Sequence, residues 1–328
     1  MLRTFIRVLL PGLLAACLLY GQEKGGAPAK PDSPQVKSDI EKAKKIAGAE
    51  WADEAHFLCE APHPASPNDP LLEPTKIFDN VYLVGREGAE VYAVTTTDGI
   101  ILFDAGSPAD VEPVVIPGLQ KLGLDPAKIK IVIVSHGHAD HFGGASYLQE
   151  HYGAHIYIGA ADWDLLEHPP AGRGEKQKKG PGPPLPKHDM VIAEGQPITL
   201  GGVTVTPVAI PGHTAGSMGF FFPVKDHGKT HMAAIFGGAV LITRAATDAE
   251  LETYRHSIAH FKEDAKRMKA DVELKDSPLS DGQEAKLDKL KAREKGQPNP
   301  FVVGQANYDK FLDVMTACLD AQVDRRKE

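Results

Sequence analysis

The apolar run Ile131-Val132-Ile133-Val134 leads directly into Ser135-His136-Gly137-His138-Ala139-Asp140-His141-Phe142-Gly143-Gly144. A short β-branched run without polar alternation is what a strand buried on both faces requires, so this stretch belongs inside a layered sheet. The turn after it carries polar groups to the sheet edge, and here those groups are His136, His138, Asp140 and His141. Imidazole nitrogens and a carboxylate oxygen gathered in one turn suit zinc, a borderline cation that accepts mixed donors. The spacing lets His136 and His138 approach one metal while Asp140 and His141 face a neighbouring position. Gly143 and Gly144 let the backbone pass close to the next helix.

A second strand end repeats the pattern. Val208-Ala209-Ile210 is followed by Pro211-Gly212-His213-Thr214, and His213 can complete a three-histidine site whose fourth position is left to water. An open fourth position marks a catalytic zinc site rather than a structural one. A third strand end, Phe103-Asp104-Ala105-Gly106, carries a carboxylate. By itself it is an ordinary turn; beside a metal, Asp104 can orient a ligand histidine through the ring's free nitrogen.

Strand signals, β-branched and aromatic runs broken by Gly, Asp and Asn, fall at 81–84, 90–94, 99–103, 130–134, 155–158, 197–200, 203–209, 218–222, 232–236 and 271–274. Helix signals fall at 39–47, 110–122, 142–151, 160–166, 248–269, 284–294 and 308–323, the last two as charged, amphipathic terminal helices. Two sets of strands with interspersed helices predict an α/β fold with two sheets packed face to face and helices outside. The segment 171–187 is rich in Gly, Pro and Lys and reads as irregular, either a solvated loop or a rim that meets a substrate carboxylate.

Residues 1–21 read as a secretory signal peptide: Arg3 and Arg7 precede an apolar run at 8–20 that is too short to span a bilayer comfortably. Leu14-Ala15-Ala16-Cys17 also fits a lipid-attachment site, a minority alternative. Residues 22–50 read as a flexible linker and short helix, leaving 51–328 as the folded domain. The chain is therefore expected in the periplasm or outside the cell, with no membrane span after processing. There Cys59 and Cys318 can pair, a question the spacing leaves open. A net charge of −8, with no broad basic stripe, argues against a nucleic-acid partner.

The three strand-end motifs, in this order, resemble the metallo-β-lactamase superfamily, and within it the subclass B3 enzymes. The resemblance implies a four-layer αβ/βα sandwich with metals at the sheet edge. It implies a first zinc on His136, His138 and His213 and a second on Asp140 and His141, with Asp104 behind them. It also implies a small-molecule substrate, a β-lactam opened by a zinc-bound hydroxide that Asp140 orients. Lactonase-type and glyoxalase-type relatives carry a metal-bridging aspartate where this chain has Gly238, which favours the lactamase reading. Lactamases take a further ligand, a histidine, at the place of Ser277; a neutral hydroxyl there implies one zinc firmly held and a second held more weakly. A zinc hydrolase of another lactone, ester or amide is the alternative, and a degenerate zinc-binding exported protein the third reading.

Overall fold

Phe220, Phe221 and Phe222 are consecutive and fully buried, yet Phe220 and Phe222 lie in one hydrophobic core and Phe221 in another. A strand points successive side chains to opposite faces, so both faces of this one are covered. In the computed structural model, which describes residues 31–62, 65–66, 68–169, 183–239, 246–277 and 283–327, that strand is the middle of a five-stranded sheet.

A seven-stranded sheet comes first in the chain. It runs in order through β1 (Thr75–Phe78), β2 (Val81–Arg86), β3 (Ala89–Thr95), β4 (Ile100–Phe103), β5 (Ile129–Ile133), β6 (His155–Gly159) and β7 (Met190–Ile192). Neighbours are antiparallel up to β4 and parallel from β4 to β7. The second sheet consists of β8 (Ile198–Leu200), β9 (Val203–Ala209), β10 (Met218–Asp226), β11 (Lys229–Phe236) and β12 (Val272–Leu274). Its order is β12-β11-β10-β9-β8, with β12 parallel to β11.

Three cores separate four layers. One fills the space between the sheets, where Phe103, Ile133, Phe220 and Ile235 meet. Another lies under α3 (Ile116–Lys121), α5 (Ala145–Tyr152) and α6 (Ala160–Glu167). The third lies under α1 (Pro34–Ala47), α2 (Ala52–Glu60), α7 (Asp248–Met268) and α9 (Gln305–Arg326). The short α4 (Ala139–Phe142) follows β5, and α8 (Gln283–Lys291) follows β12. The αβ/βα sandwich expected from the sequence is the fold observed.

Several expectations are corrected. The short helix expected at 39–47 starts earlier, at Pro34: α1 is capped by Ser33, whose side chain accepts from the Val36 amide, and it buries Val36, Ile40, Ala43 and Ala47. That helical stripe ties α1 to the same core as α9, so the compact unit begins at Ser33 rather than at residue 51. The helix α2 was not anticipated. The last helix, α9, buries Phe311, Leu312, Met315, Cys318 and Leu319, the apolar stripe expected of an amphipathic helix. The helix expected at 142–151 is broken at Gly143 and Gly144, where a Cβ would lie 2.3 Å from Ala139 O and 2.3 Å from Ala105 O respectively. The signal-peptide and lipid-attachment readings, and most of the irregular segment at 171–187, lie outside the described residues. Among those that are described, no helix is long and apolar enough to cross a membrane. Cys59 and Cys318 form a disulfide between α2 and α9.

Candidate metal centre

Parallel strands end on the same edge. Asp104 follows β4 and the histidine turn follows its parallel neighbour β5; Gly238 follows β11 and Asp276 follows its parallel neighbour β12. The β9–β10 loop carrying His213 meets them there, since the Met218 amide donates to Ser135 O at 2.9 Å and joins the two sheets. The site is thus assembled by topology.

Three ring nitrogens converge: His213 Nε2 is 3.1 Å from His136 Nε2 and 2.9 Å from His138 Nδ1. Burial pushes the His136 pKa well below its ordinary value, and the rings of His141, His213 and His138 push the same way. A neutral imidazole with its lone pair free is the form that binds a metal. His136 is buried, His213 half-buried and His138 exposed, so the cluster opens to solvent on one side.

His141 is also buried. Its Nδ1 lies 2.8 Å from Asp104 Oδ2, which leaves Nε2 facing Asp140 Oδ2 at 3.6 Å. Burial works against the charged ring, but the carboxylates of Asp140 and Asp104, with Asp276 behind them, overcome it and raise its pKa to about 10. Asp104 adopts φ 61°, a left-handed conformation uncommon outside glycine, and its Oδ1 accepts from the Ser135 amide at 2.7 Å.

Ser277 is not where a ligand would be. Its buried Oγ donates to Gly88 O at 2.9 Å. The side chain brought against the histidines is the neighbouring Asp276, whose Oδ2 accepts from the Gly238 amide at 2.7 Å and from Ser135 Oγ at 3.2 Å. Consecutive residues leaving a strand point to different sides, so one of this pair faces the site and the other does not. Burial lifts the Asp276 carboxyl to about 6, against the pull of His141 and with a push from Asp104.

Sequence reasoning missed Asp162. This carboxylate on α6 is fully buried and accepts from the Gly137 amide at 2.6 Å, from Thr214 Oγ1 at 2.6 Å and from the Gly216 amide at 3.0 Å. It therefore staples the loop of His136 and His138 to the loop of His213. Burial raises its pKa, and the three hydrogen bonds oppose the rise. The signal available was an aspartate on the face of α6 that also buries Trp163 and Leu166.

The donor set fits zinc. Three imidazoles with an open side match its preferred nitrogen donors and leave a position free, and Asp140 and His141 offer a mixed pair beside them.

The family model of the metallo-β-lactamase superfamily matches residues 84–227. The subclass B3 metallo-β-lactamase BJP-1 of Bradyrhizobium japonicum superposes with a TM-score of 0.64 at 30% identity, over 76% of this chain and 90% of that one. Among curated proteins, a hydroxyacylglutathione hydrolase of Acidiphilium cryptum is 32% identical over 123 residues, 37% of this chain and 43% of the relative. The hydroxyacylglutathione hydrolase GloC of Haemophilus influenzae is 31% identical over 145 residues, 42% of this chain and 62% of the relative. The chain thus spans less than two thirds of the length of either of these two hydrolases.

Proposed function

Because the chain belongs to the metallo-β-lactamase superfamily, we propose that it is a zinc-dependent hydrolase whose substrate is a β-lactam, opened at the amide carbonyl. The observation that carries this reading is the convergence of His136 Nε2, His138 Nδ1 and His213 Nε2 on a point open to solvent. Zinc in such a donor set supplies a Lewis acid and brings water to nucleophilic form near neutral pH.

The protein's own groups do the rest. His136, His138 and His213 hold the first zinc. Asp162 fixes their two loops and so pre-sets the geometry. Asp140, half-buried at the rim beside His141, would orient the attacking water. With His141 it forms the second metal position, held more weakly because Ser277 faces away. Gly238 supports the lactam over other substrates: a glycine offers no carboxylate to bridge metals at that position, and a Cβ there would lie 2.5 Å from His213 Cγ. The disulfide supports export to an oxidising compartment, as the residues at 1–21 suggest.

The test is turnover of a chromogenic cephalosporin, with and without chelator. Hydrolysis that chelator abolishes and zinc restores is the expected result. The similarity to hydroxyacylglutathione hydrolases favours a second substrate for the same assay. Zinc-dependent cleavage of hydroxyacylglutathione without any cephalosporin turnover would replace the lactam by a thioester. Zinc binding with neither activity would leave a binding protein.

A further inference from the structure

Asp276 has no role in the mechanism above, yet its carboxylate is buried at the rear of the histidine cluster. A histidine ring carries its two nitrogens on different edges, and what each edge meets fixes what it can do. His136 turns Nε2 toward His213 and Nδ1 toward Ser135 Oγ, at 3.0 Å, and Asp276 Oδ2, at 3.4 Å. His141 is oriented alike, with Nε2 toward Asp140 and Nδ1 toward Asp104. The rear edges of both rings therefore meet one polar layer, Asp104, Ser135 and Asp276. Ser135 Oγ lies 2.9 Å from one carboxylate and 3.2 Å from the other. The metal-facing nitrogens are on the opposite edges.

The segment around Asp276 is anchored at every residue. The Lys275 ammonium pairs with the buried Glu54 of α2, and its amide donates to Tyr92 OH. Asp276 O accepts from the Glu90 amide, and Ser277 is tied to Gly88 O. With Gly238 N on its Oδ2 as well, the carboxylate is held behind the rings. Its Oδ1 is buried without a hydrogen-bond partner among the described residues, and Asp276, His136 and His141 bring ligand atoms within 4.8 Å of one another; these are the two features a direct ligand role would use.

We propose that Asp276 is a positioning residue that backs His136, directly and through Ser135, as Asp104 backs His141, and that it is not itself a metal ligand. The inference rests on the metal reading above. A carboxylate behind a ligand imidazole fixes its tautomer and orientation and raises its basicity. It follows that, among the described residues, the second position keeps Asp140 and His141 alone, and the site is built around one firmly held ion.

The experiment compares the natural protein with Asp276→Asn and Ser135→Ala, all loaded with zinc. Zinc stoichiometry is read by metal analysis, affinity by chelator competition, and the ring protons by NMR of protein labelled with ¹⁵N-histidine. One tightly held zinc is expected in each. The dissociation constant should rise about 10- to 100-fold in Asp276→Asn and less in Ser135→Ala, while the His136 Nδ1 proton signal moves upfield. If the natural protein holds two tight zincs and Asp276→Asn loses one while the other is unchanged, Asp276 is a ligand and the proposal falls. Unchanged affinity and ring signals would reduce Asp276 to filling space. If Asp276→Asn does not fold, the natural protein still decides: a protected, downfield His136 Nδ1 proton supports the backing role, and a bare Nδ1 overturns it. A natural protein that binds no zinc would instead defeat the metal reading itself.

Discussion

Gly238 is fixed by two constraints at once, a φ of +76° and a Cβ position 2.5 Å from His213 Cγ. Giving it the aspartate of lactonase-type relatives should therefore displace His213 instead of bridging metals. Gly238→Asp is expected to bind the first zinc more weakly, as measured by chelator competition; tighter binding of two zincs would show that the loop has room. Ser277→His should leave zinc stoichiometry unchanged, because position 277 faces Gly88 and not the site. Asp162→Ala strands the Gly137 and Gly216 amides in a buried place and leaves the Thr214 hydroxyl with Ser217 Oγ as its partner. At about 1–3 kcal/mol for each unsatisfied group, it should be the most destabilising of these changes in urea unfolding and should also lose zinc affinity. A variant as stable as the natural protein would mean that water replaces the carboxylate. His136, His138 and His141 were legible in the sequence because their spacing is local, and His213, 75 residues from His138, because it sits in a second turn that follows a strand. Asp162 and Asp276 were not, since Asp162 meets Gly137 from 25 residues away and Asp276 meets Ser135 from 141 away. A long-range hydrogen bond leaves no periodic trace, and choosing Ser277 over Asp276 required knowing how the chain leaves β12.

Among the elements, the inner strands were legible because burial leaves apolar runs, as at Ile131–Ile133 of β5 and Phe220–Phe222 of β10, whereas the short edge strands β1 and β7, each with exposed residues, were not anticipated. The N-terminal helix was cut short because composition hid its pattern: Val36, Ile40, Ala43 and Ala47 form a stripe at helical spacing inside a lysine-rich stretch. Its partner surface, α9, lies more than 250 residues away in sequence and could not be inferred locally; Trp51 Nε1, beside α2, donates to Asn307 O across 256 positions. The disulfide from Cys59 on α2 to Cys318 on α9 closes this helical layer on the far side of the five-stranded sheet. Replacing both cysteines with alanine should lower unfolding stability by about 2–4 kcal/mol, the usual contribution of a bridge that closes a long loop. Zinc stoichiometry should not change, because neither cysteine touches the histidine loops. Loss of zinc along with the bridge would show that the helical layer and the metal edge unfold as one unit.

At the scale of the molecule, the edge where β4, β5, β11 and β12 end concentrates buried negative charge. Asp104, Asp162, Asp276, Glu54, Glu90 and Glu273 are all buried, with Lys275 and Lys286 as the buried lysines among the described residues. The lysines answer part of this charge from behind, Lys275 against Glu54 and Lys286 against Glu273 at 2.8 Å. Asp104 and Asp276 lie instead beside His141 and His136, so a cation held by the histidine cluster sits in a favourable field. Zinc should therefore stabilise the whole fold, by about 2.7 kcal/mol when free zinc is 100 times its dissociation constant and by roughly 1.4 kcal/mol more for each further tenfold. The measurement is the thermal midpoint across a series of zinc concentrations set with a metal buffer. It should climb steadily for the natural protein, fall on chelation and recover on zinc addition. His138→Ala keeps the buried charge and removes a ligand, so its midpoint should respond far less to zinc. Equal slopes for the two proteins would place the bound zinc away from the three histidines, and a flat line for both would mean that the folded protein binds none.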